Sequence, residues 1–135
     1  MRAKWSEISK AFDFGGDEVD GFISKETGKV YMRSDYDPGI EELPEDLDDD
    51  ELYLAVPKKR DLDLGGRLVD RFAEEVATDR AEDIRDVFAG KGAYRRLKSY
   101  LQRHGLLDKW YEFENAETEK ALRAWCADEG IELEE

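Results

Sequence analysis

From Ala93 to His104 the apolar residues recur at helical spacing. Placed at about 100° per residue, Ala93, Tyr94, Leu97, Tyr100, Leu101 and His104 share an arc of roughly 120°. Arg95, Arg96, Lys98, Ser99, Gln102 and Arg103 take the other side. Gly92 precedes this run and Gly105 follows it, where a left-handed residue commonly closes a helix. The pattern predicts an amphipathic helix with a cationic outer face. Upstream, Val69, Phe72, Ala73 and Val76 share one helix face, and Ile84, Val87 and Phe88 form the apolar side of a second helix. Thr78 or Asp79 is its expected cap, with Glu82 three residues after Asp79 as in a capping box. Downstream, Leu106, Leu107, Trp110, Tyr111 and Phe113 predict a short helix opened by Asp108. A separate last helix is then expected, capped by Asn115, with Ala121, Leu122 and Trp125 facing inward and Gly130 at its end.

In the first half the period changes. Trp5, Ile8, Ala11 and Phe12 predict a short helix with Ser6 as its N-cap. Residues 18–34 then read as a β-hairpin turning at Glu26-Thr27-Gly28-Lys29, where Gly28 supplies the positive φ such turns need. Leu52, Leu54 and Val56 alternate along a third strand that Pro57 closes, and Ile131 and Leu133 suit core packing or an edge strand. The expected architecture is α+β: a small three-stranded antiparallel sheet with a helical C-terminal half. The 135 residues are the size of one domain, able to bury roughly two thirds of the unfolded surface, so 1–135 is expected to be a single domain. Residues 34–51 interrupt it with ten acids and no base, which predicts an exposed, flexible acidic loop joining two strands that pair with each other.

Charge sharpens the picture of the cationic helix. The chain carries a formal net charge of -14, yet Lys91 to Gly105 holds five Lys or Arg and no Asp or Glu. An acidic chain is disfavoured on phosphate backbones and anionic lipid unless its basic residues are segregated, and here they are. No apolar run approaches the ~20 residues of a membrane span, and the N-terminal residues lack a secretory apolar region. With one cysteine there is no intramolecular disulfide. A cytoplasmic protein with no membrane association is expected.

The run Phe88-Ala-Gly-Lys-Gly-Ala-Tyr-Arg-Arg-Leu-Lys98 is followed by Trp110-Tyr-Glu-Phe113, then by Ala124-Trp125 ahead of Gly130-Ile131. These segments resemble a family of small bacterial proteins that is itself uncharacterised. The hairpin with Glu26-Thr27-Gly28 and the strand ending Val56-Pro57 are similar to that family's front half. The resemblance covers most of the chain, and the Gly-Lys-Gly-Ala-aromatic-Arg-Arg block is its most specific part. Leu97 and Cys126 depart from it, standing where an aromatic and an aliphatic residue are expected. It implies one small cytoplasmic domain in bacteria or their phages, and no activity, substrate or catalytic residue.

Candidate chemistry is sparse. His104 is the sole histidine, placed at a helix C-terminus where a ring donor suits the free carbonyls. Cys126 has no sequence-evident base beside it and reads as a small core hydrophobe. Asp35, Asp37 and Gly39 begin a calcium-loop spacing, but Ile40 stands where glycine is required; Asp61, Asp63 and Gly66 begin another, but Phe72 takes the bidentate position. Neither a metal nor a cofactor is expected. Gly90-Lys91-Gly92 ahead of a helix could present backbone N–H groups to an anion. The candidate anion- or partner-binding residues are therefore Lys91, Arg95, Arg96, Lys98 and Arg103. The expected function is a non-enzymatic interaction or regulatory module with a protein partner, working through the cationic helix and the acidic loop. The alternatives are nucleic-acid or nucleotide binding through the basic face, with Tyr94 or Tyr100 stacking, and an acidic nucleic-acid mimic that occupies a basic partner.

Overall fold

A computed structural model describes residues 1–16, 18–34 and 42–135. In chain order it contains β1 (Arg2–Lys4), α1 (Trp5–Phe14), β2 (Val19–Ser24), β3 (Val30–Ser34), β4 (Tyr53–Ala55), α2 (Gly66–Glu75), α3 (Ala81–Val87), α4 (Ala93–Arg103), α5 (Leu107–Asp128) and β5 (Glu132–Glu134). The architecture is α+β: a three-stranded antiparallel sheet and a helical C-terminal half. The chain divides into two compact units, Met1–Leu62 with Ala121–Glu135, and Asp63–Lys120.

In the first unit the hairpin forms with Val30 opposite Ile23 and Ser34 opposite Val19. The Ser24 carbonyl accepts the Gly28 N–H at 2.8 Å, and Gly28 takes φ 77°. This glycine also has a packing reason: a Cβ there would lie 1.7 Å from the Arg2 carbonyl oxygen. Gly28→Ala should therefore combine left-handed strain of about 1–3 kcal/mol with a backbone clash. Thermal denaturation should show a lower midpoint, and an unchanged one would contradict the packing of this turn on β1.

The pairing expected across the acidic stretch is corrected. The sheet order is β3-β2-β4, so β3 and β4 flank β2 and do not pair with each other. Burial accompanies this order: Gly21 to Ser24, the stretch of β2 that faces both neighbours, are all buried, whereas β3 and β4 hold no buried residue. Gly21 lets its neighbours close in, since a Cβ would stand 3.1 Å from both Ala11 Cβ and Val56 Cβ. Lys58 fastens the sheet's end through the carbonyl of Gly16, that of Val19 at 2.7 Å and the Asp20 carboxylate at 2.9 Å.

Of the acidic stretch, residues 35–41 lie outside the described residues. In the part that follows, Leu47 is buried, Asp46 and Asp49 carbonyls close turns onto Asp49 and Tyr53, and Asp48 pairs with Arg33 at 3.1 Å.

The unit is closed by β1 and β5, a parallel pair with Arg2 opposite Glu132 and Lys4 opposite Glu134. Ala3 is buried between two exposed cations, and Leu133 stands between two exposed carboxylates. Helix α1 starts at Trp5, directly after β1, so Ser6 lies inside its first turn and is not the cap. Arg123 lies 4.1 Å from the Trp5 ring centroid and pairs with Glu135 at 2.8 Å.

In the second unit Phe72 is fully buried, with its ring centroid 5.3 Å from Trp110 and 5.6 Å from Phe113. Leu68, Val69 and Ala73 complete the buried face of α2, whereas Val76 is exposed beyond its end. The capping-box expectation fails: Thr78–Arg80 form a 3-10 turn and α3 begins at Ala81 without a side-chain cap. Thr78 instead donates its hydroxyl to the Glu74 carbonyl at 3.1 Å. The two helices expected on either side of Asn115 are one, α5, in which Asn115 is an exposed interior residue. No glycine or proline occurs between Leu107 and Asp128, so nothing interrupts the hydrogen-bond ladder.

Candidate functional site

Helix α4 is held by Leu97, Tyr100 and Leu101, all buried. Burying such side chains contributes about 1.5–3 kcal/mol each before entropy is counted. Gly92 enters the helix at φ 73° and Gly105 leaves it at φ 69°, both left-handed. Tyr100 donates its hydroxyl to Asp83 at 3.1 Å and accepts from Arg80 at 3.4 Å, which ties α4 to α3. Its ring is not available for stacking. Tyr94 is, with 46% of its surface exposed and Phe88 4.8 Å away against one edge. Partial burial and then the Glu114 carboxylate hold the Tyr94 phenol above its ordinary pKa.

The five candidate cations separate into four groups. The Arg96 guanidinium is occupied by backbone carbonyls, those of Val87 at 3.1 Å, Lys91 at 2.6 Å and Ala89. It gathers the turn between α3 and α4, where the first helix leaves carbonyls without intrahelical partners. Lys98 sits 5.9 Å from the Tyr111 ring centroid, near the limit of a cation–π contact. Lys91 is exposed, and its carbonyl accepts from Arg96. Arg95 and Arg103 line an open groove of about 670 Å³ with Ser99, Gln102, Arg96 and the apolar Val87.

The other arginines sharpen this contrast. Arg67 pairs with Asp63 at 3.5 Å, Arg71 with Glu117 at 2.9 Å and Arg85 with Glu74 at 2.8 Å. The hydrogen bond that Arg71 donates to the Glu117 carboxylate, ahead of that group's charge, raises the pKa of Arg71. Among the described residues neither Arg95 nor Arg103 has a carboxylate within ion-pair distance. Asp63–Lys120 holds 11 Lys or Arg against 13 Asp or Glu, a net of -2 out of the chain's -14, so the other residues carry -12. The acidic bias therefore lies outside the unit that carries the groove.

Arg96→Ala should destabilise the chain by about 1–2 kcal/mol, because three carbonyls lose a charged donor at an exposed site. Urea denaturation followed by circular dichroism measures this, and no change would show that the turn does not need Arg96.

Two further candidates, His104 and Cys126, do not line the groove. His104 lies exposed after the last helical residue, its ring 4.4 Å from that of Tyr100. Cys126 is fully buried, and burial pushes its thiol up to about 11, with Arg123 opposing weakly. Thiolate is the reactive form, so native protein at pH 8 should label with iodoacetamide far more slowly than protein in guanidinium. Equal rates would place the thiol at the surface. Among the described residues no group of three His, Cys, Asp or Glu side chains could hold a metal. The Asp35, Asp37 and Gly39 spacing lies outside them. No helix among them is long and apolar enough to cross a membrane.

Residues 3–133, nearly the whole chain, match a family model. The chain belongs to the uncharacterised protein family UPF0158. The Gly90 to Lys98 block and the groove-lining face of α4 both lie inside the UPF0158 match. No curated protein and no solved structure matches the chain.

What the sequence missed around the groove is the division of labour within it. Arg95, Arg96 and Arg103 lie on one face by periodicity, but only the three-dimensional turn gives Arg96 its carbonyls. One signal was available: a helix ending at Phe88 leaves carbonyls exposed just ahead of Arg96.

Proposed function

We propose that this chain is a non-enzymatic interaction module, and that the outer face of α4 takes an acidic segment of a protein partner. The observation that carries this reading is the pair Arg95 and Arg103, exposed in a shared groove and without ion pairs among the described residues, in a chain with 14 more acids than bases. Elsewhere in the same unit arginines meet carboxylates of the chain itself. Arginine and tyrosine are also the residues that recur at the energetic centres of protein interfaces, and Tyr94 and Tyr111 are exposed beside the groove-bearing face. The net charge of -14 weighs against a long polyanion and favours a short acidic segment.

A second reading is supported by Tyr94. An exposed ring on the same helix as Arg95 and Lys98 is the combination that stacks and neutralises single-stranded nucleic acid.

Fluorescence anisotropy with a short labelled Asp/Glu-rich peptide and a short labelled single strand, at low ionic strength, tests both readings. Peptide binding that is lost in R95E/R103E is the expected result. Peptide binding unchanged by that double substitution would remove α4 from the interaction, and tighter binding of the strand would favour the second reading.

A further inference from the structure

Arg95, Ser99 and Arg103 follow one another along the i, i+4 row of α4, where neighbouring Cβ atoms stand about 5–6 Å apart. Ser99 thus stands between the two arginines on that row. All three line the groove, and Gln102 adds an amide; among the described residues no carboxylate lines it. Resting on the interaction reading above, we propose that Arg95, Ser99 and Arg103 form one clamp for a phosphate monoester carried on a serine or threonine of the partner protein.

The reason is a match of donors to acceptors. A carboxylate offers two oxygens, both of which a single guanidinium fork can occupy. A second guanidinium and a hydroxyl would then find nothing to hold. A phosphate monoester brings three terminal oxygens and a charge of about -1.5 to -2 at pH 7, which balances two arginines and leaves an oxygen for Ser99. Arginine clusters are a recurrent means of reading phosphorylated segments. Arg96 stays outside the clamp because its guanidinium already holds three carbonyls. The groove, at about 670 Å³, has room for the residue that bears the phosphate, with Val87 as its apolar wall. It is open along the helix, which suits a chain segment better than a small metabolite that needs enclosure.

The test uses the full chain and four probes: a phosphoserine peptide, the same peptide with Glu in place of phosphoserine, methyl phosphate and AMP. Titrations are followed by amide and arginine Nε resonances. The phosphoserine peptide should bind at least tenfold more tightly than the Glu peptide. R95Q/R103Q should lose that binding tenfold or more, and S99A should weaken it several-fold with an unchanged circular dichroism spectrum. Equal binding of the phosphoserine and Glu peptides, both lost in R95Q/R103Q, would overturn the phosphate clamp and leave the interaction face standing. Phosphopeptide binding that survives R95Q/R103Q would overturn the clamp as well. AMP or methyl phosphate binding more tightly than the phosphopeptide would overturn the assignment to a protein-borne phosphate. Binding by none of the four would remove both the clamp and the interaction reading.

Discussion

Phe72→Ala is expected to lower the unfolding free energy by about 3–5 kcal/mol, the range for removing a fully buried aromatic ring. Phe72 has no exposed surface and meets Trp110 nearly edge-on, at an interplanar angle of 78°, with Phe113 tilted against it. Such pairs add about 0.5–1.5 kcal/mol beyond burial, so the substitution removes a packing volume and two ring contacts together. Urea denaturation should show a lower midpoint at constant slope. Phe72→Leu keeps most of the volume and should cost much less. A loss below about 1 kcal/mol for the alanine variant would mean that this cluster is not packed as described.

For R95E/R103E the expected result is at least a hundredfold loss of acidic-peptide affinity, about 2.7 kcal/mol, with stability unchanged to within about 0.5 kcal/mol. Each substitution turns an attraction into a repulsion. Two charges at 4 Å interact by about 1 kcal/mol in water and about 4 kcal/mol at a protein surface of intermediate dielectric. Stability should hold because neither arginine has an intramolecular carboxylate to lose among the described residues. Raising salt from 50 to 500 mM should weaken wild-type binding and strengthen any residual binding of the variant, because screening weakens an attraction in the first and a repulsion in the second. A salt-independent affinity would sink the electrostatic basis of the interaction.

The parts of this fold that could be read in advance are those where one residue type answers one local demand. Gly28, Gly105 and Gly130 all adopt the positive φ expected of them. Leu97 and Leu101 are buried because period 3.6 put them on one stripe. Pairing was harder, since β3 and β4 are joined by the acidic stretch but meet β2 instead of one another. Which strand takes the centre depends on what α1 covers, and no window of sequence contains that. Asn115 misled for a related reason: a good capping residue ends nothing when the flanking residues are all able to continue the helix. At the groove, the cationic face was legible and the loss of Arg96 to the α3–α4 turn was not, because the carbonyls it holds belong to residues five to nine positions earlier.

The β1–β5 ladder joins residues 130 positions apart, Arg2 to Glu132. A parallel pair cannot be closed by a tight turn, and the entropy of closing so long a loop opposes this pairing until other contacts have shortened the loop. With three residues in each strand, the ladder should be the last contact to form in refolding and the first to open. Its amides should exchange with solvent well before those of β2, through excursions that leave the central sheet intact.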